Sequence, residues 1–141
     1  MISDKMVKSV RDHVGDVSGL AMLFFEAADT ERRLPGIRKG SIKSCWPDYP
    51  EEANLAFGYN EVEVKLAKAS PSAITRYDQT LELCMLMSTY DRKIVWAAAH
   101  SAARRQRGPA WKKISKFLHM HPATVKRKFE AAILNLWYNM L

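Results

Sequence analysis

From Val7 to Ala28 apolar residues recur at alternating spacings of three and four: Val7, Val10, Val14, Val17, Ala21, Phe24 and Ala28. That period keeps them on one side of a helix, so the first segment is predicted to be amphipathic and helical. Gly15 interrupts it, as a kink or as a break into two helices. Leu20, Leu23 and Phe25 widen the apolar surface, which has to be covered either by the chain's own core or by a second copy. Pro35 and Gly36 close the segment.

Residues 36–69 lose the period. Gly36, Gly40, Pro47, Pro50 and Gly58 punctuate them, leaving room for at most a short helix near 51–57. Trp46, Tyr49, Phe57 and Tyr59 are expected to pin this connection onto the helices. Regular structure resumes at Ser70-Pro71, a capping residue followed by the residue best suited to a first helical position. Ile74, Tyr77, Leu81, Cys84 and Met85 then mark the expected inner face. Ser88 and Asp91 have capping-box spacing and open a further helix, with Ile94, Val95, Ala98, Ala99 and Ala102 as a slender apolar face. Gly108-Pro109 ends it.

The last third carries the sharpest pattern. A short helix beginning near Pro109 or Ala110 puts Trp111, Ile114, Phe117 and Leu118 inward. His119-Met120-His121 makes a three-residue turn. From Pro122 a longer helix carries Val125, Phe129, Ala132, Ile133, Leu136, Trp137 and Met140 as one strong stripe. With almost no strand signal, the chain is predicted to be all-α, a helical domain with a C-terminal helix-turn-helix at about 110–138. Residues 1–69 form its N-terminal helical region and irregular connection, a packing or dimerisation unit. Residues 70–141 are the expected helical region that carries the helix-turn-helix.

Charge changes this picture from architecture to chemistry. Residues 92–141 hold eleven Lys and Arg against one acid, Glu130, a net +10, while residues 1–91 hold eleven against fourteen acids, a net −3. The overall +7 is therefore a local field. Between Arg92 and Phe129 there is no Asp or Glu at all. A cationic block with regular helical patterning points to a polyanion, and nucleic acid is the commonest. A recognition helix meets the major groove with its first turns, on the side away from the core. Taking about 100° per residue from Val125, that side carries Ala123, Thr124, Arg127, Glu130 and Ala131. Small residues there allow close approach, Arg127 can donate a bidentate pair to guanine, and Thr124 can reach a base, a methyl group or a phosphate. Lys126 and Lys128 flank the face. They and Lys112, Lys113, Lys116, Arg104, Arg105 and Arg107 are suited to phosphates.

Other chemistries find little support. His119-x-His121 has no nearby Cys, Asp or third His to complete a metal site. There is no glycine-rich phosphate loop, nucleophile motif or carboxylate pair in register, so the sequence predicts neither an enzyme nor a cofactor. Cys45 and Cys84 are far apart, which fits a reduced compartment. The first five residues lack a signal-peptide core, and no apolar run is long enough to span a bilayer. A cytoplasmic protein away from membranes is expected.

Several segments, in order, resemble a phage-associated family: Glu26-Ala-Ala-Asp-Thr-Glu-Arg-Arg-Leu-Pro35, Trp46-Pro47, Pro71-Ser-Ala-Ile-Thr-Arg76, Asp91-Arg-Lys-Ile-Val-Trp-Ala97, Trp111-Lys-Lys-Ile114 and Thr124-Val-Lys-Arg127. The likeness is to small helix-turn-helix proteins from prophages and phage-like elements of alphaproteobacteria, and it covers residues from about 20 to 138. The C-terminal half is also loosely similar to the promoter-binding region four of sigma factors. The resemblance implies DNA binding through the second helix of the pair and transcriptional control, with double-stranded DNA as partner; a second copy of the chain, through the N-terminal apolar stripe, and RNA polymerase are further candidate partners. The chain departs from the pattern in two places. His119 stands where such turns often have Gly, and the 101–110 connection is longer and more basic. Two other functions remain open at this level. One is a phage DNA-packaging component resembling a small terminase subunit. The other is a protein that binds a protein partner, RNA polymerase included, through the basic face.

Overall fold

The computed structural model describes residues 2–34, 67–105 and 107–141. The elements are α1 (Asp4–Val14), α2 (Val17–Arg33), α3 (Pro71–Leu83) running into a short 3-10 turn (Cys84–Leu86), α4 (Thr89–Arg105), α5 (Trp111–Leu118) and α6 (Pro122–Asn139). The fold is all-α, with no strand among the described residues. The expected connection at 36–69 with its aromatic anchors and short helix, and the stop at Pro35-Gly36, lie almost entirely outside the described residues.

Gly15 breaks the N-terminal segment outright. It ends α1 at φ +75, a left-handed conformation that glycine adopts without a Cβ clash. Asp16 then restarts the helix, its side chain accepting from the Gly19 amide at 2.6 Å. Gly19 is needed at the junction, because a Cβ there would overlap the Val14 carbonyl oxygen. The restart resets the helical phase. Burial in α2 centres on Leu20, Leu23, Phe24, Ala27 and Ala28, whereas Val7, Val14, Val17 and Ala21 are only half-buried.

Helix α2 is the hub of the molecule. It packs on α3 and α4, and also touches α1 and α6. The buried core these helices share includes small residues from both, Ala28 from α2 and Ala98, Ala99 and Ala103 from α4. Phe24 meets Trp96 edge-on at 5.6 Å between ring centres. Buried Thr30 and Thr80 donate their hydroxyls to the carbonyls of Glu26 and Arg76, at 2.9 and 2.7 Å, so neither is left unsatisfied. Arg32 donates to the Ala103 carbonyl at 2.9 Å, and Arg11 to that of Met140 at 3.4 Å. Each cation sits where a helix ends with unpaired carbonyls.

Ser70 caps α3 as expected, accepting from the Ala73 amide at 3.2 Å. Of the predicted inner face, Cys84 is buried and Ile74 and Tyr77 are half-buried, but Leu81 and Met85 are not inside. Met85 is 72% and Leu81 42% exposed, while Thr80, Leu83 and Cys84 are buried. In place of Leu81, Thr80 takes a core position that an apolar pattern does not count, its hydroxyl bonded to the Arg76 backbone. Ser88 caps α4, its hydroxyl accepting from the Asp91 amide at 3.2 Å. Cys84 is core filling: burial pushes its thiol up, partly offset by the Trp96 indole N–H donating to Sγ at 3.3 Å. A thiol held protonated is a poor nucleophile.

Candidate nucleic-acid interface

The placement of α5 begins with its anchors. Ser101 of α4 accepts the Ala110 amide at 2.9 Å and ties the incoming strand of chain to α4. Ile114 and Ser115 are buried, and the Trp111 ring lies 5.5 Å from that of Phe129 in α6. Ser115 satisfies its hydroxyl by donating to the Lys112 carbonyl at 2.7 Å. Phe117, expected inside, is 72% exposed. It lies about 100° from Leu118 on the helix, and Ser115 takes the inward position instead.

The turn is built on His119, the only non-glycine residue with positive φ among those described, at φ 56 and ψ 41. That left-handed step lets the amides of His119 and Met120 both reach the Ser115 carbonyl, the latter at 3.1 Å, closing α5. His121 opens α6: its Nδ1 accepts from the Ala123 amide at 3.2 Å, and Pro122 follows at the first helical position. His119 thus serves the turn through its backbone and His121 through its imidazole.

Helix α6 buries Val125, Phe129, Ala132, Ile133, Leu136 and Met140, with Trp137 half-buried. Phe129 sits at the crossroads, stacked on Phe25 of α2 at 6.1 Å and tilted against Trp111. With this stripe fixed inward, Ala123, Lys126, Arg127, Lys128, Glu130 and Ala131 are exposed and Thr124 is half-buried. Lys112, Lys113 and Lys116 are exposed on α5, as are Arg104 and Arg105 at the end of α4 and Arg107 beyond it. Arg104, Arg105 and Lys113 come together along a groove of about 690 Å³ between α4 and α5, together with His100 and Phe117.

Helix α4 also contributes a residue that sequence patterning did not single out. Tyr90 holds Lys128, whose ammonium donates to the phenol oxygen at 3.2 Å and stands 4.9 Å from the ring centre. The Tyr90 hydroxyl in turn lies 3.2 Å from Met120 Sδ. One aromatic residue thereby connects the start of α4, the turn and the basic start of α6. Its position 38 residues before Lys128 gave no local signal.

A family model matches residues 32–136, almost three quarters of the chain. The chain belongs to the family described as a domain of unknown function (DUF6362). The match spans α3 to the greater part of α6, so the turn and the basic residues lie within the matched range. No curated protein matches the chain, and no solved structure does. No described helix is long and apolar enough to cross a membrane.

Proposed function

We propose that the chain is a sequence-specific DNA-binding protein, a phage or prophage transcription regulator that reads its site with the first turns of α6. The observation that carries the reading is the outward side of that helix in its first turns: small residues and cations, with Ala123 and Arg127 exposed and Thr124 half-buried beside them, opposite the buried Val125 and Phe129. The helix stands directly behind a tight turn. Arg127 supplies the base contact. Lys126, Lys112 and Lys116 supply phosphate contacts, as do the Arg104, Arg105 and Lys113 cluster and Arg107. Lys128, steadied by Tyr90, presents its charge beside them. The phage setting and the transcriptional role come from the resemblance, and the DNA-binding mode from the residues.

Selection of genomic fragments on the purified protein, at near-physiological salt, tests the proposal. Enrichment at promoters is the expected result. No enrichment, with affinity insensitive to salt, would overturn it, since phosphate contacts impose a steep salt dependence. On the selected site Arg127→Ala should cost about 1–3 kcal/mol and relax preference at a single base position. Lys112→Ala should weaken binding to every sequence alike and lower the salt slope by about 1.

A further inference from the structure

The outward stripe of α6 changes character along its length. Arg127, Ala131, Leu134, Tyr138 and Leu141 follow at spacings of four, three, four and three, the period of a helix–helix seam. The first half of this stripe is small and cationic. The second half is apolar and exposed: Leu134 by 41%, Tyr138 by 63% and Leu141 by 70%. On the opposite side of the same turns Ala132, Ile133, Leu136 and Met140 fill the core. The second half of α6 is therefore apolar on two sides, and among the described residues only one of them is covered.

We propose that this stripe is the contact between two copies of the chain, paired about a two-fold axis beside Tyr138. Charge selects the occupant. The exposed residues of α6 beyond Glu130 are Ala131, Leu134, Asn135, Tyr138 and Asn139, none of them charged. Nucleic acid, an acidic peptide or an anionic lipid surface would be met by cations, and those lie at the other end of the helix. Two copies repel where their cationic blocks, net +10 over residues 92–141, face one another, and this uncharged stretch of α6 lets that part of the chain meet its copy without opposing those charges.

Shape selects the same occupant. Tyr138 forms the rim of a cleft of about 300 Å³ between α6 and the start of α4, lined also by Leu86, Ser88, Asp91, Asn135 and Asn139. A projecting aromatic and a cleft side by side on one surface are self-complementary under a two-fold rotation, where each residue of one copy meets the reciprocal residue of the other. Each Tyr138 then enters the partner's cleft. The cleft is lined mainly by polar surface, and Ser88, Asp91 or an Asn side chain is at hand for the tyrosine hydroxyl. The area is modest, so the dimer is weak and forms with rising concentration.

Sedimentation of the full chain over a wide concentration range, without DNA, reads the association directly. The expected result is a monomer–dimer equilibrium. The double substitution Leu134→Gln with Tyr138→Gln, both to good helix formers, should weaken it at least about tenfold, equivalent to about 1.4 kcal/mol, with helical circular dichroism unchanged. An independent measurement uses Asn135→Cys in a Cys45→Ser background. Mild oxidation should link two copies at position 135, whereas Lys112→Cys in the same background should not link. A wild-type chain that stays monomeric at every concentration, or a double variant that dimerises as before, overturns the proposal.

Discussion

His119 shows what a single residue is asked to do at the turn. Its left-handed backbone, φ 56, is the step that closes α5 and lets α6 start three residues later. A side chain with a Cβ meets steric resistance there of about 1–2 kcal/mol, and the branched residues resist most. His119→Gly should therefore be neutral or stabilising by up to about 1 kcal/mol, and His119→Val should destabilise by about 1–2 kcal/mol. Chemical denaturation of the three proteins checks this. Equal stability of all three would mean that the conformation costs nothing. The absence of Gly at this position is conspicuous in the sequence, and histidine accommodates the conformation rather than changing it. Arg127 and the cations around it were legible for a related reason: once Val125 and Phe129 are inside, a helix leaves their side chains no other direction.

At the scale of the element, legibility followed the strength of the apolar pattern. The stripe of α6 runs through most of an 18-residue helix, and of the predicted residues all are buried except Trp137, which is half-buried. Helix α5 has only eight residues, too few for a pattern to outvote one conspicuous side chain, so the pattern puts Phe117 inside and passes over the buried Ser115. In α3 the fault lay with Thr80, a polar residue made fit for the core by its bond to the Arg76 carbonyl. The joint between α1 and α2 was visible at Gly15, but its effect on the phase of the following helix was not. The pairing of Tyr90 with Lys128 is a tertiary contact and has no local sequence signature. The seam between α2 and α4 is different again, since alanines at helical spacing announce close approach. Ala98 and Ala99 are wholly buried in the core that α4 shares with α2 and its Ala28. Ala99→Leu should overpack this seam and cost about 1–3 kcal/mol in urea unfolding, with the m-value unchanged. A cost near zero would show that α2 and α4 are free to move apart.

At the scale of the whole molecule, the two proposals constrain one another. Arg127 and Tyr138 share one stripe of α6 and are eleven residues apart, roughly 16 Å along the helix. A domain of this size has a radius of gyration of about 14 Å, so a second copy seated on Tyr138 overlies the space into which Arg127 points. If α6 reads DNA as proposed, the dimer and the DNA complex compete for one side of the helix, and the monomer is the binding form. Mass action then fixes the direction of each effect. Duplex carrying the selected site should dissociate the dimer, because a ligand that binds one state alone draws the equilibrium toward it. Raising the protein concentration should yield less additional complex than a simple isotherm predicts. The Leu134→Gln, Tyr138→Gln chain, locked as monomer, should bind that duplex at least as tightly as wild type and follow the simple isotherm. Sedimentation with labelled DNA distinguishes the outcomes. A complex with two copies of the chain on one duplex would end the competition model while leaving the seam standing. It would require the two copies to splay about Tyr138 far enough for both basic helix starts to reach the same side.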